Sequence, residues 1–406
     1  MKGWVLLGAL ALAQSAYAAT PDHWIASWGA AQQIPEAGNL LPLADMQDAT
    51  LRQIVHLTVG GSKLRVRFSN AFGTQALVID DAHIARSADK ASARIAPGTD
   101  RTLTFDGRPS IAIPPGAEYL SDPVSLAAPA LSSLTVSIHL PQAPAGQTGH
   151  PGSRATSYYL HGDHAADADL PGAGHVDHWY QLTGVEVAAP PAAATIVAFG
   201  DSITDGHGAT TNGDDRWPDI LAARLQASPA THNLSVVNVG IGGNHLLTDG
   251  LGPNALARLD RDVFARPGAK AMLVLEAIND LGKLSREDVR TPEQHKQLVA
   301  DLIAAYRQII LRAHGQGVRV IGCTVTPYVG SDYYHPDAAS EADRIALNTW
   351  IRTSGAFDAI VDFDAAIRDP AHPERMIAAY DSGDHLHPSA AGYKVMAAAI
   401  KLEALR

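Results

Sequence analysis

Ser202 lies in Gly200-Asp201-Ser202-Ile203-Thr204-Asp205-Gly206, a glycine-bounded turn of the kind that presents a small hydroxyl at a sheet edge. A serine hydroxyl is a weak nucleophile until a base takes its proton. Asp384-His385-Leu386-His387-Pro388 offers that base. An Asp three residues before a His can meet it across one turn, holding the imidazole tautomer while the other ring nitrogen accepts the proton. Two further segments carry donors for the negative charge that such an attack creates. In Asn238-Val239-Gly240-Ile241-Gly242-Gly243-Asn244 the glycines allow close backbone approach, so an N–H such as that of Gly243 can face an oxyanion. In Ala277-Ile278-Asn279-Asp280 the side-chain amide of Asn279 can add a second donor. Each segment alone has a plainer reading. Gly-Asp-Ser also suits a helix cap, the glycine run an ordinary strand-to-helix turn, Asn-Asp a turn pair, and Asp-x-x-His a surface loop.

The elements that must position these groups differ between the two halves of the chain. From about Asp22 to Val187 the pattern is that of short strands broken by Gly, Pro and Asp turns. Leu64, Val66 and Phe68 alternate with Arg65 and Arg67, and Leu134, Val136, Ile138 and Leu140 alternate with Thr135, Ser137 and His139, which predicts half-buried strands. Gly60-Gly61 reads as a tight hairpin before the first of these. A β-sandwich follows from the pattern. After the break at Pro190-Pro191, apolar runs at Ile196 to Phe199, Val236 to Val239, Met272 to Leu275, Val318 to Ile321 and Ile360 to Phe363 alternate with helical patterns. Trp217, Ile220, Leu221 and Leu225 share one helix face, as do Leu302, Ile303, Tyr306 and Ile310. Such alternation predicts a parallel sheet covered on both faces, with ligands beyond the carboxyl ends of its strands. All four candidate segments fall there. The expected organisation is a signal peptide at 1–18, a jelly-roll-like β-sandwich domain at 19–190 and an α/β domain at 191–406.

The signal-peptide expectation rests on Lys2, the short apolar stretch Val5 to Ala13 and the small-x-small pattern Ala16-Tyr17-Ala18. The apolar stretch is well below the ~20 residues that span a bilayer, so stable membrane insertion is not expected. A net charge of −11 without a dense Lys/Arg cluster argues against nucleic acid and anionic lipid surfaces as partners. The single cysteine, Cys323, cannot form an intrachain disulfide and sits in an apolar run that predicts a buried thiol.

Together the four segments resemble the SGNH hydrolase superfamily of GDSL-type esterases. Gly200-Asp201-Ser202-Ile203, Gly243, Asn279 and Asp384 with His387 follow one another in the family's order, each after the expected element. The resemblance covers about Thr195 to the C-terminus. The N-terminal part, with Trp24-Ile25-Ala26-Ser27-Trp28, resembles an extension of some secreted bacterial relatives. The resemblance implies a flavodoxin-like doubly wound sheet and a serine esterase. Ser202 would be the nucleophile, His387 the base and Asp384 its orienting carboxylate, with an oxyanion hole formed by the N–H groups of Ser202 and Gly243 and the amide of Asn279. It implies no cofactor and no metal, and a small-molecule or glycan ester substrate; export and the lack of an obvious apolar lid favour short-chain acyl or O-acetyl groups on carbohydrates. A lipase or lysophospholipase-type acylhydrolase is the alternative, and export implies a periplasmic or secreted location. Three residues depart from the family pattern: Ile203 replaces a leucine, Ala277 replaces a glycine, and His385 adds a second histidine beside Asp384.

Two rivals need different chemistry. Asp381, Asp384, His385 and His387 could hold a metal, although they lack a recognisable zinc spacing. Trp24, Trp28, Trp179 and Tyr180 could stack on sugars in a non-catalytic binding protein, but aromatics in a sandwich more often form its core. His207, His245 and the segment Tyr328 to His335 are candidates to line a cleft.

Overall fold

The computed structural model describes residues 22–287 and 290–406. The expected signal peptide lies outside the described residues. Strands β1 (His23–Gly29), β2 (Ala49–His56), β3 (Gly61–Ser69), β4 (Asp81–Arg86), β5 (Ser133–Leu140), β6 (Ser157–His161) and β7 (Leu182–Ala189) form the body of two antiparallel sheets. One sheet runs β1-β7-β3 and the other places β6-β2-β5-β4 side by side, each extended by short edge strands. Leu64, Val66 and Phe68 from the first and Leu134, Val136 and Ile138 from the second share one apolar core, as alternation requires.

Two local expectations change. Gly60-Gly61 does not close a hairpin, because β2 and β3 belong to different sheets and the chain crosses between them. Gly60 is needed for close approach instead: a Cβ there would stand 2.5 Å from the Ala128 carbonyl oxygen. Nor is β5 half-buried. Thr135, Ser137 and His139 on its second face are also covered, with Ser137 accepting from Arg52 Nε at 2.9 Å and His139 Nδ1 bonded to Asp80 at 2.7 Å. Trp28, Trp179 and Tyr180 are core residues, with the two indoles edge to face at 4.8 Å.

The second half contains β8 (Ala194–Gly200), β9 (Leu234–Gly240), β10 (Ala269–Leu275), β11 (Arg319–Cys323) and β12 (Ala359–Val361). They pair in parallel in the order β9-β8-β10-β11-β12, the flavodoxin-like arrangement. The last strand is shorter than expected, since Asp362 accepts from Ala365 N and starts a helix there. Helices α1 (Ser202–Asp205), α2 (Trp217–Gln226), α3 (Ala255–Leu259), α4 (Ile278–Ser285), α5 (Pro292–Gly315), α6 (Ala338–Thr353), α7 (Phe363–Ile367) and α8 (Ala390–Ala399) follow in sequence. α2 packs with α8, and α5 with α6, covering the sheet. Trp217, Leu221 and Leu225 are buried along the expected face of α2, and Leu302, Tyr306 and Ile310 along that of α5. Cys323 is buried and free.

The sandwich lies against the β9 edge, with β1 beside β9. Ala26 N donates to Thr195 Oγ1 at 3.1 Å, Val236 N to Thr58 Oγ1 at 3.1 Å, and Arg266 to the carbonyls of Ala30 and Thr183. Among the described residues no helix is long and apolar enough to cross a membrane.

Candidate active site

Ser202 opens α1 directly beyond the end of β8, in the place the doubly wound topology assigns to ligands. Asp201 caps this turn through Oδ1 and the Ile203 N–H at 2.9 Å. Gly206, with φ 101°, lets the chain leave it in a conformation that a side chain disfavours. The Ser202 Oγ stands 2.8 Å from His387 Nε2, and His387 Nδ1 stands 2.6 Å from Asp384 Oδ2. The other carboxylate oxygen of Asp384 accepts from the N–H groups of Leu386 and His387 at 3.0 and 2.8 Å, which fixes the loop ahead of Pro388. Partial burial raises the Asp384 pKa, but the hydrogen bonds from His387 and the backbone outweigh it and hold the carboxyl well below its ordinary range. It therefore stays ionised beside the imidazole.

His385 lines the same cleft but pairs with another carboxylate. Its Nδ1 bonds to Asp381 Oδ2 at 2.6 Å and its side chain is exposed. His207 does reach the site, with its ring 4.0 Å from that of His387. Burial, followed by repulsion from His387 and Arg154, pushes its pKa down to about 4, so it is neutral at neutral pH. His207, Asp384 and His387 present ligand-type atoms within 4.8 Å of one another. The Asp384 and His387 atoms stand 2.6 Å apart. That spacing is a shared hydrogen bond, well inside the ~3.3 Å between two donors on a tetrahedral zinc with bonds of ~2.0 Å.

The oxyanion candidates share a cleft with His387. Ser202, Gly243 and Asn279 all line one cleft of about 710 Å³ with His387. Gly243 has φ 64°, the left-handed turn that its glycine permits. Asn279 stands on the first turn of α4 and is 2% exposed. Its Nδ2 donates to the Asn244 carbonyl at 2.7 Å, and its Oδ1 accepts from the Tyr334 hydroxyl at 2.6 Å. Ala277, where the family pattern has glycine, adopts φ 90° and is fully buried. The departure from the pattern is thus a real local strain, of order 1–3 kcal/mol for a side chain in such a conformation.

Several contributors were not legible in the motifs. Arg258 of α3 is fully buried and bonds the carbonyls of Gly200 and Val239, Oδ1 of Asn244, and the carboxylates of Asp262 and Glu276. One guanidinium therefore ties together the segments that carry Ser202, Gly243 and Asn279. Asp280 accepts from the N–H groups of Leu246 and Leu247 at 2.8 and 3.1 Å, anchoring the Gly243 loop. Burial raises the acids around Arg258: Asp201 to about 7, Asp280 to about 6, and Glu276 well above its ordinary value. A carboxylate closing the apolar run of β10, Glu276, was the one sequence signal of this cluster. From the sandwich, His150 Nε2 bonds Asp205 Oδ1 at 2.8 Å while its Nδ1 bonds the Ala31 carbonyl, and Gln33 donates to the Leu251 carbonyl at the cleft. Of the cleft candidates, His207, His245 and part of Tyr328 to His335 line it, whereas Tyr328 itself is buried.

A hydroxyl held by an imidazole, a carboxylate behind that imidazole and candidate N–H donors lining the same cleft make an arrangement suited to nucleophilic acyl transfer. Residues 198–395 match the model of the GDSL-like lipase/acylhydrolase family. This part of the chain is a domain of that family, and the protein is an ester hydrolase. Solved structures similar to it include a carbohydrate acetylesterase from Sinorhizobium meliloti, at 16% identity over 52% of this chain and all of the other, with TM-score 0.40. A GDSL-like lipase from Bacteroides thetaiotaomicron matches at 17% identity over 52% of this chain and 87% of its own, with TM-score 0.36. A family two carbohydrate esterase from Cellvibrio japonicus matches at 13% identity over 94% of both chains, with TM-score 0.36. Comparison with curated proteins gave no match.

Proposed function

We propose that the protein hydrolyses carboxylic esters through an acyl-Ser202 intermediate, with short acyl groups, in particular O-acetyl groups on carbohydrates, as its substrates. The line from Ser202 Oγ through His387 to Asp384, at 2.8 and 2.6 Å, carries the reading. Ser202 Oγ attacks the ester carbonyl carbon as its proton passes to His387 Nε2. The resulting oxyanion takes hydrogen bonds from the N–H groups of Ser202 and Gly243 and from Asn279 Nδ2. Collapse breaks the bond to the alcohol oxygen, which leaves with the proton from His387. A water then gives its proton to His387 and attacks the acyl carbon, releasing the acid and restoring Ser202. Asp384 stabilises the imidazolium formed in each half.

The cleft lining supports a small acyl group and a hydroxyl-rich alcohol. Ser331, Asp332, Tyr333, His245 and His385 surround the centre, with only Leu251 and Leu386 as aliphatic side chains. Export of the chain to the periplasm or medium, as its N-terminal sequence suggests, would bring it to such substrates.

Ser202→Ala should retain its melting temperature and lose ester hydrolysis by on the order of 10⁴-fold or more. His387→Ala should lose the burst with an activated ester while His385→Ala keeps it. Near-normal turnover in folded Ser202→Ala sinks the mechanism. Across p-nitrophenyl esters and acetylated xylan, a preference for octanoyl over acetyl groups would overturn the proposed substrate while leaving the mechanism standing.

A further inference from the structure

Asn279 poses a problem of orientation. A primary amide has two donor hydrogens on one side and an acceptor on the other, and only one of its two flips can serve an oxyanion. The Asn244 carbonyl, which can only accept, requires Nδ2 on its side, at 2.7 Å. That uses one hydrogen and leaves the second for the cleft. The flip also leaves Oδ1 facing the protein interior at a residue that is 2% exposed, where an unpaired acceptor is costly. The Tyr334 hydroxyl fills this position at 2.6 Å.

Tyr334 is itself held from several sides. It is 4% exposed, its ring meets that of Tyr333 edge to face at 4.7 Å, and its carbonyl accepts from Ser285 Oγ at 2.6 Å. Gly282, one turn along α4 from Asn279, leaves room for the ring, because a Cβ there would overlap it. Burial pushes the Tyr334 pKa upward, so the phenol keeps the proton it donates. Its segment follows β11, whereas Asn279 follows β10, so the contact joins two strand ends across the cleft.

We infer that Tyr334 is the positioning residue of the oxyanion hole: its hydroxyl locks the Asn279 amide with Nδ2 toward the substrate carbonyl and, by donating to Oδ1, polarises the amide into a stronger donor. Hydrogen bonds in series strengthen one another in this way. The inference rests on the acyl-enzyme reading, in which Asn279 serves charge that develops only in the transition state. Its signature is therefore a kcat effect that depends on Asn279.

The test is a double-mutant cycle on the full chain with a p-nitrophenyl acetate assay, following kcat, KM and the acylation burst. Tyr334→Phe removes one oxygen and should lower kcat and the burst rate by about tenfold or more with KM changed less than about twofold. Asn279→Ala should lower kcat by ~10²-fold or more. In the Asn279→Ala background, adding Tyr334→Phe should cost almost nothing, since no amide remains to orient. Equal losses from Tyr334→Phe in both backgrounds, or a loss confined to KM, would overturn the inference. Should Tyr334→Phe prove too unstable, affinity of Asn279→Ala and Tyr334→Leu for an alkyl boronic acid, which forms a tetrahedral anion on serine, reads the same donor. Parallel weakening in both supports the inference, and wild-type affinity in folded Tyr334→Leu overturns it. Full activity in Ser202→Ala would instead remove the underlying mechanism, so the two failures are distinct.

Discussion

Arg52 in the sandwich and Arg258 in the α/β half are both wholly buried guanidinium groups, and they do different work with the same chemistry. Arg52 donates to Ser137 Oγ and to the carbonyls of Ala93, His164, Ala165 and Asp167, stapling two loops over strand β5. No carboxylate is among these partners. Arg258 also gathers carbonyls, but two of them, those of Gly200 and Val239, close the strands that lead to Ser202 and Gly243. Its acidic partner Glu276 begins the segment that carries Asn279. Burial of a charge therefore does not mark a functional site. What decides is where its partners lead.

Replacing each arginine by lysine, which keeps the charge but loses the fork, should separate the two roles. Arg258→Lys is expected to lower kcat by ~10²-fold, because small displacements of reacting groups are that costly. Arg52→Lys should melt earlier yet keep kcat within about twofold once folded. Comparable kcat losses in both would break the contrast, and steady-state kinetics alongside thermal melts decides.

The acids beside Arg258, whose pKa values burial raises, should give a smaller and pH-dependent effect. Burial raises Asp201 to about 7 from 3.8, so the folded protein holds its proton more tightly than the unfolded chain. Stability tied to that proton is complete below about pH 4 and fades as pH rises through about 7. Asp201→Asn retains the cap acceptor without the charge. Its melting temperature should rise relative to wild type by a few degrees between pH 5 and 8, and a flat difference would refute the shift.

The smallest expected effect concerns Ala277, a strain point in the α/β half that packing around Arg52 does not require. Its φ of 90° suits glycine. Ala277→Gly should stabilise the protein by up to about 1 kcal/mol, offset in part by lost packing of the methyl group. A clear drop in melting temperature would show that the methyl contact outweighs the backbone strain.

Much of the architecture was legible because period and segment length are local properties. Five apolar runs separated by amphipathic helices imply a parallel sheet, and the Ser202 turn, Gly243, Asn279 and Asp384 with His387 fall at its strand ends. The sandwich was less transparent. Alternation along β5 could not reveal that Ser87, Arg52 and Asp80 meet Thr135, Ser137 and His139 on its polar face, so that this face is covered as well. Nor could Gly60-Gly61 reveal that the chain changes sheets there, because strand pairing is a long-range choice.

What the sequence determined by itself was the set of candidate reactive groups and the order in which the fold presents them, since Asp384 and His387 are close in the chain and each motif follows its own strand. The tertiary structure alone decided which histidine faces Ser202, which flip Asn279 adopts, and that Arg258, Tyr334 and His150 brace the site. These partners lie tens to nearly two hundred residues apart. They share no period or spacing, and meet only when buried groups must find hydrogen-bond partners in the packed interior.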